Sequence, residues 1–149
     1  MSLEDLLKFG KLERHKTSSE EVQSLFGVAE RCIKDASQKT ISLDLRFIAA
    51  YQAALAAADA LLNCLGYKTA KTGRHYMVWE ALRQAFDPSF KDTLALFNDA
   101  RSKRGDAFYD HADVISETEF KELFAEADKF ARLIRARIKK EFPELGKGL

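Results

Sequence analysis

The stretch "ISLDLRFIAAYQAALAAADALLNCLGY", Ile41 to Tyr67, decides how this chain folds. Ser42 stands where an N-cap belongs, and Gly66 can take the left-handed conformation that ends a helix. Between them alanine and leucine occupy nearly every side of the predicted helix. A helix that is apolar all round is placed inside a protein, where small residues let neighbours approach and leucines fill the gaps. Gln52, Asp59 and Asn63 interrupt the apolar run between Phe47 and Leu62 and share one face at spacings of seven and four. That pattern argues for the central helix of a bundle rather than a membrane span.

Working outward, both flanks carry amphipathic helices that could pack on such a centre. Upstream, a short helix in "SLEDLLKF" precedes "KTSSEEVQSLFGVAERCIKDASQK", where Ser18 and Glu21 form a capping-box pattern ahead of Val22, Leu25, Phe26, Ala29 and Ile33 at helical spacing. Downstream, the loop "GYKTAKTG" leads to a shorter helix, "RHYMVWEALRQAF". Asp87 and Pro88 then read as N-cap and first turn of "SFKDTLALFNDARSKRGDAFYDH", with Phe90, Leu94, Phe97 and Arg101 on one stripe. After a break at Asp113 to Ile115, Ser116 and Glu119 form another capping box. Phe120, Leu123, Phe124, Ala127, Phe130, Ala131, Ile134 and Ile138 follow on one face, the strongest periodicity in the chain. The expected architecture is all-α, an up-and-down bundle of four to five helices in a single domain over 1–149, with its core at about 18–142 and a short flexible C-terminal tail.

Composition excludes several classes. At 149 residues, with 46% hydrophobic and 32% charged, the chain suits one folded domain and neither a disordered nor a fibrous one. The net charge of +1 offers no global attraction for nucleic acid, so any such role needs a local patch. Cys32 and Cys64 form no CxxC motif and lie in apolar patterns, which predicts buried free thiols in a reducing cytoplasm. The N-terminal "MSLEDLLKFGKLERHK" is acidic where a signal peptide is basic. No HExxH, paired Glu-x-x-His, GxxxxGK[ST] or GxGxxG occurs, so neither a metal nor another cofactor is expected.

Chemistry concentrates in "RSKRGDAFYDH", Arg101 to His111. On an unbroken helix a separation of seven puts Arg104 and His111 on one face, about 10 Å apart along the axis. That is too far for both to grip one phosphate from a single chain. Across a two-fold axis between antiparallel helices, however, Arg104 of one chain could meet His111 of the other. Such a pair has the parts for metal-independent RNA cleavage: an imidazole to move protons and a guanidinium to hold the charged phosphorane. Arg101 and Lys103 flank the pair. A second cluster, Lys68, Lys71, Arg74 and His75, reads either as an anion- or RNA-contacting loop or as ordinary solvated loop. The run Arg132, Arg135, Arg137, Lys139 and Lys140 suits the negative end of the last helix dipole.

With these residues in place, the chain resembles the HEPN family (higher eukaryotes and prokaryotes nucleotide-binding). These helical bundles carry an arginine followed, after four to six residues, by a histidine near the end of a late helix. "RGDAFYDH" matches that signature, and "RFIAAYQAALAAADALLNCLGYKT", "GRHYMVWEAL" and "FYDHADVISETEFKELFAEADKFARLI" extend the similarity over about residues 20–140. The resemblance implies a homodimeric bundle, often an RNase toxin encoded beside a nucleotidyltransferase-like antitoxin, with some members noncatalytic. It casts Arg104 as the phosphate contact and His111 as acid or base, with Lys103, Arg101, His75 and Arg74 available to bind substrate. Gly105 and Tyr109 stand where active members carry a polar residue and a histidine, so His111 and Tyr109 both remain candidates for the active position. With Tyr109 there, a binding-only module is expected.

Overall fold

A computed structural model describes all residues, 1–149. Six helices carry the fold: α1 (Leu3–Lys8), α2 (Ser19–Ala36), α3 (Leu43–Cys64), α4 (Arg74–Ala85), α5 (Lys91–Gly105) and α6 (Glu117–Glu141). Their starts follow local chemistry. Ser42 accepts from the Leu45 N–H at 3.2 Å, and Ser116 and Glu119 complete a reciprocal capping box with both bonds at 3.1 Å. At the start of α2 only half of the expected box forms. Ser18 accepts from the Glu21 N–H, but the Glu21 carboxylate turns instead to His15, Thr17 and Asn63. Gly66, at φ 98°, ends α3 in the left-handed region as its position predicts.

α3 is the centre. Tyr51, Leu55, Leu61, Leu62 and most of its alanines have no exposed surface. It is the one helix long and apolar enough to cross a membrane, yet here it is sheathed by other helices. α2 and α6 lie along it, and α4 and α5 close the remaining side. Trp79 of α4, Phe97 of α5 and Phe130 of α6 meet at ring separations of 5.1 and 5.0 Å, so one aromatic cluster ties the peripheral helices together over α3. The result is an all-α bundle, as the periodicity predicts.

Three features depart from the sequence reading. Leu12–Arg14 (β1) pairs antiparallel with Tyr67–Thr69 (β2), inside what reads as loop. With Leu6, Leu62 and Ala81, Leu12 and Tyr67 make a small second apolar cluster that fastens α1 to the bundle. The C-terminal segment, expected as a flexible tail, lies on the bundle: Leu145 and Leu149 pack against the main core, and the Gly146 N–H bonds to the Phe142 carbonyl at 2.9 Å. Finally, the helix expected to run through His111 stops short. α5 ends at Gly105, and Asp106–Asp110 form a single wider π turn closed by the His111 N–H on the Asp106 carbonyl at 2.9 Å.

Candidate functional site

The π turn breaks the shared-face geometry of Arg104 and His111. Helical backbone ends at Asp110, and His111 is extended, at φ −141° and ψ 147°. Its ring lies on the exposed rim of a shallow hollow of about 470 Å³ that includes Leu45, Ile48, Phe108 and Tyr109. The backbone here is held from below, because Asp44 accepts the N–H of Asp113 at 2.7 Å while Asp113 takes a φ of 56°. Leu45 is 52% exposed, Phe108 56% and Tyr109 76%, so His111 borders an apolar surface that nothing in the chain covers.

Arg104 faces elsewhere. Its guanidinium lies over the Tyr51 ring at 5.6 Å from the centroid, and its buried Nε has no acceptor. Tyr51 is the hub of this cluster. Its hydroxyl accepts from Trp79 Nε1 at 3.1 Å and lies 3.3 Å from His75 Nδ1, and the Tyr51 and His75 rings are stacked with centroids 5.9 Å apart. Because Trp79 already donates to the Tyr51 oxygen, the hydroxyl proton is free to point at His75 Nδ1, which assigns the neutral ring's own proton to Nε2. Arg101, one turn before Arg104, lies over the Tyr76 ring at 5.5 Å and bonds to Asn98 at 3.0 Å. Arg74 pairs with Asp59.

Electrostatics follow from this packing. Burial first, then the charges of Arg104, Arg74 and Arg101, push His75 down from 6.5 to about 4, so its ring is neutral near pH 7. Burial pushes Asp59 up to about 6 against the opposing pull of Arg74. Burial also raises the Tyr51 phenol, a shift moderated by Trp79 and by Arg104 and Arg101.

The structure therefore brings Arg74, His75, Arg101 and Arg104 together and leaves Tyr109 within the π turn and His111 just past it. Lys103 is occupied by Glu119 at 2.9 Å. Most of the late basic run is likewise engaged, with Arg132 on Asp128, Arg135 on Glu30 and Arg137 on Glu141, in keeping with a role on the outer face of α6. Arg101 and Arg104 have no carboxylate within 4 Å. Tyr51 is the member of the cluster that periodicity hides, because an aromatic in an apolar helix reads as core. The signal available was its hydroxyl, which demands partners once buried. No group of three or more His, Cys, Asp or Glu side chains is arranged to hold a metal.

The all-α bundle packed round a central alanine-rich helix is the class of fold to which the sequence pointed. A family model for SAV_6107-like HEPN domains matches residues 37–135, from the end of α2 through most of α6, and the chain belongs to the HEPN family. Compared with curated proteins, the chain matches none.

Proposed function

We propose that this HEPN protein acts on RNA as a metal-independent endoribonuclease of a toxin-antitoxin or defence pair, with Arg104 and His111 as its working residues and the site completed across a homodimer. The observation that carries the reading is Arg104: a half-buried guanidinium with no carboxylate partner and an Nε without an acceptor. A buried cation left unpaired is costly, and a phosphate is the partner that offsets the cost. Within one protomer the π turn separates His111 from Arg104. The uncovered surface of Leu45, Phe108 and Tyr109 beside His111 supports a second copy docking there and supplying the opposite half of the pair.

In such a site an imidazole takes the proton of an RNA 2′-hydroxyl as that oxygen attacks the adjacent phosphorus. The arginine holds the phosphorane charge, and a proton passes to the departing 5′-oxygen, leaving a 2′,3′-cyclic phosphate and a 5′-hydroxyl. The pure protein is then expected to cleave RNA with EDTA present, and Arg104→Ala and His111→Ala each to abolish cleavage while the helical signal persists. Intact RNA beside a folded dimer refutes the nuclease. A nucleotidyltransferase-like antitoxin is the proposed cognate partner, tested by its co-expression relieving toxicity.

The second reading is a noncatalytic HEPN module that binds a partner protein or nucleotide. The observation favouring it is the orientation of Arg104 towards Tyr51 and His75 rather than towards His111. Tyr109→His distinguishes the two. Gain of cleavage in that variant from an inactive parent places residue 109 in the active position and marks the parent as binding-only.

A further inference from the structure

We propose that Arg74, Arg101 and Arg104 form a phosphodiester-binding site around His75, whose Nε2 donates to the bound phosphate. The proposal rests on the RNA-directed reading above for its occupant, single-stranded RNA, but not on cleavage.

The geometry assembles the site from three helices. Arg101 and Arg104 project from one face of α5, one turn apart, and Arg74 and His75 open α4. Tyr51 of α3 holds His75 from beneath through the stacked rings and the 3.3 Å contact to Nδ1, which leaves Nε2 to face away from that contact. Of the three guanidinium groups, only that of Arg74 has a carboxylate, Asp59. The charges of Arg101 and Arg104 are held only by the ring faces of Tyr76 and Tyr51 and by Asn98. Two cations placed together without counter-charge repel each other, so the folded chain carries a cost here that an anion removes. α4 adds to the field: its N-cap is Gly73 with no side-chain cap, its first turn has no acidic residue, and its free N–H groups bring a partial positive charge.

Tyr76 makes a nucleic acid a better occupant than a free phosphate. Its ring is 45% exposed and carries Arg101 on one face. An exposed aromatic beside paired arginines is the arrangement that stacks an unpaired base while the guanidinium groups take its phosphate.

Occupancy and protonation are coupled by charge. The groups facing His75 are Tyr51 from α3, Arg74 from α4, and Arg101 and Arg104 from α5, with Asp59 of α3 paired to Arg74. Burial and then the three arginines keep the empty site's ring neutral, and a phosphate placed among them offsets the arginines' repulsion and accepts from Nε2. When a proton arrives on Nδ1, the Tyr51 hydroxyl proton that pointed there rotates away, and the Tyr51 oxygen accepts from Nδ1–H through the lone pair that Trp79 leaves open.

The test is an NMR titration of the histidine rings, His15, His75 and His111, each assigned by its His→Gln variant. It is run on the full chain alone and with a 2′-O-methylated oligouridylate, which cannot be cleaved by 2′-hydroxyl attack and whose diester charge does not change with pH. The expected result is a His75 midpoint that rises by at least one pH unit with the oligonucleotide bound. Arg101→Ala and Arg104→Lys are expected to weaken binding at least tenfold and threefold respectively, and Tyr76→Leu to weaken oligonucleotide binding while sparing inorganic phosphate. Asp59→Asn controls for the other group titrating in this range and is expected to preserve the His75 shift. An unmoved His75 midpoint at saturation, or a shift confined to His111, overturns the site. Equal affinity for inorganic phosphate and the oligonucleotide overturns RNA as the occupant. A His75 shift in a protein that leaves RNA intact upholds this site while refuting the nuclease.

Discussion

Replacing His75 by glutamine removes one of two buried titrations that act in opposite directions on the stability of the fold. Burial pushes Asp59 from 3.8 up to about 6, so the folded chain binds that proton more tightly than the unfolded chain does. Its contribution therefore grows as pH falls through about 6 towards 4. His75 runs the other way. Lowered from 6.5 to about 4, its stabilising preference for the neutral ring is fully present above 6.5 and is lost as pH falls towards 4. At about 1.4 kcal/mol per unit, acidification from pH 7 to pH 4.5 adds about 2 kcal/mol through Asp59 and removes about 2 kcal/mol through His75, the latter reduced where water screens the partly exposed ring. In the parent the two nearly cancel. Urea unfolding followed by circular dichroism across this range is expected to show His75→Gln gaining about 2 kcal/mol relative to the parent on acidification, and Asp59→Asn losing a similar amount. Working with differences removes the other carboxylates from the comparison. Three parallel curves, agreeing within about 0.5 kcal/mol over the whole range, refute the opposed linkage.

Ser116→Ala removes the hydroxyl that accepts the Glu119 N–H, one of the two bonds of the capping box that starts α6, and is expected to cost about 1 kcal/mol in urea unfolding, with a change below about 0.3 kcal/mol refuting the cap's role. Cys32 and Cys64 are both buried, and burial pushes the Cys64 thiol up to about 11. A thiol reagent at pH 8 is therefore expected to label the native chain at least a hundredfold more slowly than the unfolded one, and prompt native labelling refutes the burial. Leu45→Asp, at a side chain 52% exposed, is expected to convert the proposed dimer to monomer in light scattering while the thermal midpoint of the protomer holds. An unchanged dimer places the interface elsewhere.

Most of the helical architecture is legible because its signals are local or periodic. Ser42, Gly66 and Ser116 act within one turn of themselves, and the apolar face of α6 repeats over about five turns from Phe120 to Ile138, so neither needs a distant partner to be recognised. The pairing of Leu12–Arg14 with Tyr67–Thr69 escapes because three-residue strands are too short to display a period and their partner lies far along the chain. The half-formed box at Ser18 shows the limit of a local motif. Glu21 can serve its own cap or the cluster of His15, Thr17 and Asn63, and tertiary contacts select the second.

The site shows the same division. Residue type alone marks Arg104, His111 and His75 as chemistry-bearing, and the sequence determines that α3 must be central, because no other segment is apolar on every side. What only the tertiary structure decides is which of those residues meet. One π turn, a change in the hydrogen-bonding of five residues, ends the helical face at Asp110 and parts His111 from Arg104. The packing of α4 and α5 over Tyr51 brings Arg104 to His75 from 29 positions away in the chain. Helical periodicity carries side-chain direction reliably only while the backbone stays regular, and the company that a side chain keeps across helices is set by packing that no single segment encodes.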